Sequence, residues 1–131
     1  MMTPVPMTIG EVARQTGLRA SAIRFYEKAG LLPKAARGGG QRRYDERILP
    51  RLALLNWAKE CGFTLREIRE LFGKAGESPL SQRMQKLCGE KIEELDILSQ
   101  RITLMRDLLE RAQRCRCIDV EECGGMILKR R

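Results

Sequence analysis

Residues 8–30, TIGEVARQTGLRASAIRFYEKAG, decide the fold. Thr8 with Glu11 three residues later forms a capping box, in which a short hydroxyl and a carboxylate satisfy free backbone N–H groups at a helix start. Val12 and Ala13 carry the apolar face of that first helix and Gly17 stops it. After a tight turn, Ser21 is placed to cap a second helix, which Gly30 closes as a left-handed C-terminal residue. The spacing predicts helix, turn, helix.

Working outward, residues 31–47 read LLPKAARGGGQRRYDER, where Pro33 and Gly38 to Gly40 forbid regular helix and favour an extended, hairpin-like excursion. Lys34, Arg37, Arg42, Arg43 and Arg47 lie in or beside it, a composition suited to a wing that follows a phosphate backbone. A third helix is expected from about Asp45 to Lys59, with Ile48, Leu52, Leu55 and Ala58 on one face and with Pro50 delaying or bending its first turns. Gly62 ends it. Thr64 and Glu67 make a second capping box, with Phe63 and Ile68 as a hydrophobic staple, opening a fourth helix through Leu71.

Ser78 and Pro79 then begin a helix that runs to about Ala112 and spans roughly 50 Å. Met84, Cys88, Leu95, Leu98, Ile102, Met105, Leu109 and Ala112 recur alternately four and three residues apart, skipping Lys91. Too little chain remains to cover such a stripe, so a second subunit is expected to supply the other half of a parallel or antiparallel coiled coil. The expected architecture is mainly α: a winged helix-turn-helix domain over 7–75, a dimerisation helix over 78–112 and a cysteine-containing sensor loop and tail over 113–131.

The chain has 131 residues and a net charge of +8, and residues 1–60 hold 11 basic against 5 acidic side chains. A basic half beside a nearly balanced half points to a polyanion, because phosphate neutralisation supplies most non-specific nucleic-acid affinity. Neither a signal peptide nor a membrane-spanning run is legible, so a cytoplasmic location is expected. Thiols stay reduced there, and the five cysteines read as metal-binding, redox-active or buried groups. Histidine is absent, which restricts a metal site to thiolate, carboxylate or backbone ligands and excludes histidine acid–base catalysis. Nothing assembles a nucleophile with a base, and no phosphate-binding glycine motif follows a strand, so an enzyme is not expected.

TIGEVARQTGL, AIRFYEKAGLL, QRRY and CGFTLREIRELF, in that order and followed by the long helix, resemble the MerR family of transcriptional regulators over residues 7 to about 112. The resemblance implies a homodimer joined by an antiparallel coiled coil. It implies binding to a near-palindromic double-stranded promoter, which the protein bends and untwists so that RNA polymerase engages both promoter elements. Residue by residue, it places Arg24 and Tyr26 of the recognition helix on DNA, with Arg19, Ser21 and Ala22 at that helix's start and Arg42, Arg43 and Tyr44 in the wing. For Tyr26 and Tyr44, packing against the core stands beside the DNA role.

Cys115, Cys117 and Cys123 form C-x-C-x5-C, three thiols within nine residues at the end of the long helix. Soft thiolates select thiophilic ions of the mercury, copper(I), zinc, cadmium or lead class, or an iron–sulfur cluster, and Arg114 and Arg116 stand ready to lower thiol pKa. The spacing resembles the last three cysteines of the family's SoxR branch, which holds a [2Fe–2S] cluster on four thiolates, but Ala112 stands where that branch has its first. Metal-sensing relatives use two C-terminal cysteines around a loop and, in the divalent or mercury sensors, one more from the start of the partner's long helix, a place that falls here on Leu80 or Gln82. Cys88, six to eight residues on, reads as seam packing or as a ligand offered to the partner chain, and Cys61 as structural.

Overall fold

In the computed structural model, residues 6–38, 40–74 and 76–130 are described, and the side chains of Arg37, Gly38, Gln41 and Arg42 are not. The readings of residues 1–5 and Gly39, and the last residue of the 7–75 span, lie outside the described residues. Contacts divide the chain into two units, residues 1–87 and 88–131, with the boundary inside one continuous helix.

In the first unit, α1 (Ile9–Thr16) and α2 (Ala20–Lys28) make the helix-turn-helix. Thr8 caps α1 by accepting from the Glu11 N–H at 3.2 Å, while its hydroxyl donates to Glu11 Oε1 at 3.2 Å. The expected reciprocal box is thus half made, since the carboxylate turns to the hydroxyl rather than the backbone. Ser21 does not cap α2. The helix starts two residues earlier than that cap requires, with Arg19 as an N-cap that makes no side-chain bond, and Ser21 is exposed in the first turn. Gly30, at φ +81, takes the left-handed place that ends the helix.

The wing is a hairpin of β1 (Ala36–Gly38) and β2 (Gln41–Arg43), antiparallel, with Arg37 opposite Arg42. Its outgoing leg continues into Tyr44, which bridges Met7 through backbone bonds of 2.7 and 2.8 Å. Helix α3 (Ile48–Glu60) begins three residues after Asp45, so Pro50 lies in the first turn, where no intrahelical N–H partner exists to lose. Helix α4 (Leu65–Phe72) opens on the complete capping box, Thr64 accepting from Glu67 N–H and Glu67 accepting from Thr64 N–H. Val12, Ile23, Leu52, Leu55, Ala58, Ile68, Leu71 and Leu87 fill the core, each no more than 2% exposed. Burying such side chains stabilises the unit by about 1.5–3 kcal/mol apiece before conformational entropy is charged against it.

Helix α5 (Leu80–Ala112) starts within this unit. Arg83 donates to the carbonyls of Leu71 at 2.9 Å and Phe72 at 3.3 Å, and also to that of Ser78, so a guanidinium covers the C-terminal carbonyls of α4. Gly73, at φ +63, leaves the room for it: a Cβ there would stand 2.8 Å from Arg83 Cζ.

In the second unit, the rest of α5 carries its apolar stripe uncovered, with Leu95, Leu98, Ile102, Met105 and Leu109 between 43% and 65% exposed. Lys91, the place the stripe skips, is buried, and its Nζ pairs with Glu94 Oε2 at 3.1 Å. The tail is more regular than the expected loop. Val120–Lys129 forms α6, N-capped by Asp119, whose carboxylate accepts from Glu122 N–H at 2.8 Å. Glu121 and Glu122 in its first turn suit the positive end of the helix dipole. Among the described residues no helix is long and apolar enough to cross a membrane.

Candidate metal centre and nucleic-acid interface

Helix α5 ends at Ala112, and a turn then delivers Cys115 and Cys117 just before α6 brings Cys123 back on its first turns. The three Sγ atoms lie within 4.8 Å of one another. At a metal–sulfur distance of about 2.3 Å, two sulfurs sharing one ion stand at most about 4.6 Å apart, so the three thiols are close enough to converge on one ion. Among the described residues no histidine or carboxylate joins this group, and Cys61 and Cys88 are free, half-buried thiols outside it. The donor set is soft throughout.

Cys117 N–H donates to Cys115 Sγ at 3.3 Å, and this bond, with the Cys117 and Cys123 thiols, holds the Cys115 pKa below its ordinary value. The expected source of that lowering, Arg114 and Arg116, is replaced by the neighbouring thiol and backbone. Cys117 is pushed up to about 12, because its proton is held by Cys115 and because a second thiolate beside the first is repelled. One thiol of the pair is thus poised to ionise while the other retains its proton until something displaces it. Cys117 Sγ also lies 3.7 Å from Met126 Sδ, a thioether the sequence reading did not single out. Asp119 and Glu122, which shape the turn, were missed too. Their spacing is itself a capping signal.

On the first unit, Arg19, Ser21 and Arg24 are exposed along the start and outer face of α2, and Ala22 and Arg43 are half-buried. A cleft of about 690 Å³ between α2 and the root of the wing is lined by Ser21, Arg24, Lys28 and Lys34, among others. The two tyrosines are placed differently. Tyr44 is 2% exposed and its hydroxyl donates to Glu27 Oε2 at 2.8 Å, so its side chain packs inside the lobe. Tyr26 is 4% exposed, its ring against Phe25 on one side and under Lys59 Nζ on the other. The side chain of Arg42 lies outside the described residues.

A family model described as "MerR HTH family regulatory protein" matches residues 7–74, and a second, "MerR, DNA binding", matches residues 49–112. The chain is 37% identical over 120 residues to the HTH-type transcriptional regulator CueR of Salmonella typhi, covering 89% of this chain and 87% of that protein. Its fold is similar to that of the transcription regulator PbrR691 from Ralstonia metallidurans CH34, solved in complex with lead(II), at a TM-score of 0.71 and 31% identity over 90% of this chain and 94% of that one. A structure of HiNmlR, a MerR family regulator bound to promoter DNA, is similar at a TM-score of 0.57 and 28% identity, over 83% of this chain and 84% of that one. The motifs between residues 7 and 112 and these likenesses converge: the chain belongs to the MerR family of helix-turn-helix regulatory proteins, which are DNA-binding transcriptional regulators and not enzymes.

Proposed function

We propose that two copies of this chain pair through the apolar stripe of α5, grip a near-palindromic promoter with their helix-turn-helix lobes, and activate transcription when each C-terminal triad takes up a thiophilic metal ion. The three sulfurs within 4.8 Å at the end of α5 carry this reading. Arg19, Ser21, Ala22 and Arg24 would meet the major groove, and Arg42 and Arg43 the flanking phosphates. Binding of the ion alters the angle between the lobes. The bent and untwisted DNA then lets polymerase reach both promoter elements. The organisation follows as 7–75 for DNA, 78–112 for pairing and 113–131 for sensing, in cytoplasm where thiols stay reduced.

Three thiolates favour a single ion over a [2Fe–2S] cluster, which asks for four. The relative solved with lead(II) supports the choice of a soft, heavy ion. Metal and sulfide content of anaerobically purified protein tests this: one ion per chain and no acid-labile sulfide is expected, whereas a reddish-brown protein with sulfide would reverse the choice. Cys115→Ser, Cys117→Ser and Cys123→Ser together should abolish uptake and the transcriptional response. Cys88→Ser should leave both intact, and loss of the ion in that variant would bring the partner's Cys88 into the ligand set.

A further inference from the structure

Glu27 is an acid on the helix that presents Arg24 and Lys28, on the most basic part of the chain, so its charge opposes the phosphates the helix is expected to approach. Its carboxylate is used elsewhere. Oε1 accepts from the Ala35 N–H at 3.0 Å and Oε2 from the Tyr44 hydroxyl at 2.8 Å. Ala35 immediately precedes β1 and Tyr44 immediately follows β2, so one side chain of α2 holds both legs of the hairpin.

We propose that Glu27 is a positioning residue that sets the reach between recognition helix and wing, and thereby the wing's grip on phosphate, without touching DNA itself. Strands of three residues make a hairpin that is marginal alone. The Met7 bridge anchors only the outgoing leg, at Tyr44. Among the described residues Glu27 also reaches the incoming one, and hydrogen bonds to an ionised acceptor are among the stronger kind. Loss of the carboxylate would free the incoming leg and leave the outgoing one to the Met7 bridge.

The proposal rests on the DNA-binding role of the wing given above, and the test separates the two. Full-length wild type, Glu27→Ala, Glu27→Gln and Tyr44→Phe are compared on a duplex that the wild type selects from a randomised library, titrated against salt, with hydrogen exchange read over residues 35–44. Glu27→Ala should weaken binding about tenfold, the scale of a lost charge-assisted hydrogen bond. Its salt slope should fall by about 0.9 for each phosphate contact the wing gives up, and amides 35–44 should exchange faster. Glu27→Gln should bind at least as well as wild type, because its amide oxygen still accepts from Ala35 and its NH2 donates to the Tyr44 oxygen. A carboxylate that acts only through its charge predicts the opposite for alanine: tighter binding with unchanged slope and exchange, which would overturn the proposal, as would a glutamine variant as weak as alanine. Should Glu27→Ala not fold, Tyr44→Phe decides. Weaker binding with faster exchange of 35–44 upholds the clamp, and no change in either overturns it. If the wild type selects no duplex, the wing's DNA role falls, and exchange over 35–44 still decides whether Glu27 holds the hairpin.

Discussion

Leu55 and Leu104 are the same side chain on two helices, yet the first is fully buried and the second is 58% exposed. The contrast runs through the whole molecule. In residues 1–87 the apolar faces of short, capped helices close on one another, and the core is complete within one chain. In residues 88–131 the helices are just as regular, but Ile102, Leu109, Val120 and Leu128 are all more than half exposed. Backbone regularity in a helix needs only its own hydrogen bonds and good propensity, whereas burial needs a neighbour of matching shape. The second unit has the former and asks for the latter, which is what a pairing surface looks like before it is paired.

The comparison breaks most visibly if the exposed stripe is not an interface. Ile102→Asp, which would place a charge on each side of the seam, should convert the protein from dimer to monomer by sedimentation while leaving the melting of the first unit in place; a variant that stays dimeric would show that the stripe does not pair. Next in size, Leu55→Ala should cost about 2–5 kcal/mol by denaturant unfolding, whereas Leu104→Ala, off the seam, should fall within about 0.5 kcal/mol of wild type. Equal costs would erase the distinction drawn here. At the triad, metal uptake must expel protons, and the high pKa of Cys117 means its proton is present at neutral pH. Affinity should therefore climb with pH by about tenfold per unit for each proton released, read by competition with a chelator between pH 6 and 8, while a flat profile would mean that Cys117 binds without losing its proton. More modestly, Thr64→Ala should cost about 1 kcal/mol by removing the hydroxyl from a complete capping box, a loss confined to the first unit's unfolding.

Where a feature depends on neighbours in sequence, it was legible. The hairpin, the Thr64–Glu67 box, the end of α2 at Gly30 and the long helix follow from spacing and turn chemistry alone. Pro50 correctly signalled a later start for α3, because proline suits only a first turn. Other readings failed for physical reasons of different kinds. Ser21 is a good cap in isolation, but Ala20 is already helical, so the helix begins before the hydroxyl is reached. The tail was read as loop, and Gly124 and Gly125 do weaken a helix by about 1 kcal/mol each, yet the Asp119 cap and the acidic first turn hold the start of α6. For Tyr44 the reading left core packing beside a DNA role, and its bond to Glu27, seventeen residues away in the chain, is something no local spacing reveals. The thiol triad was visible as a pattern; its internal division, one thiol eased toward ionisation and one held back, depends on a bond no spacing reveals.

Gly73 carries a consequence for descent as well as for shape. A side chain there crowds the tip of Arg83, which can move aside, but it is also strained at φ +63 whatever the space around it, so the backbone itself holds this position to glycine. Shortening the arginine would not lift that strain, so in related genes the glycine at the joint between α4 and the first turns of α5 should persist even where the arginine has been exchanged.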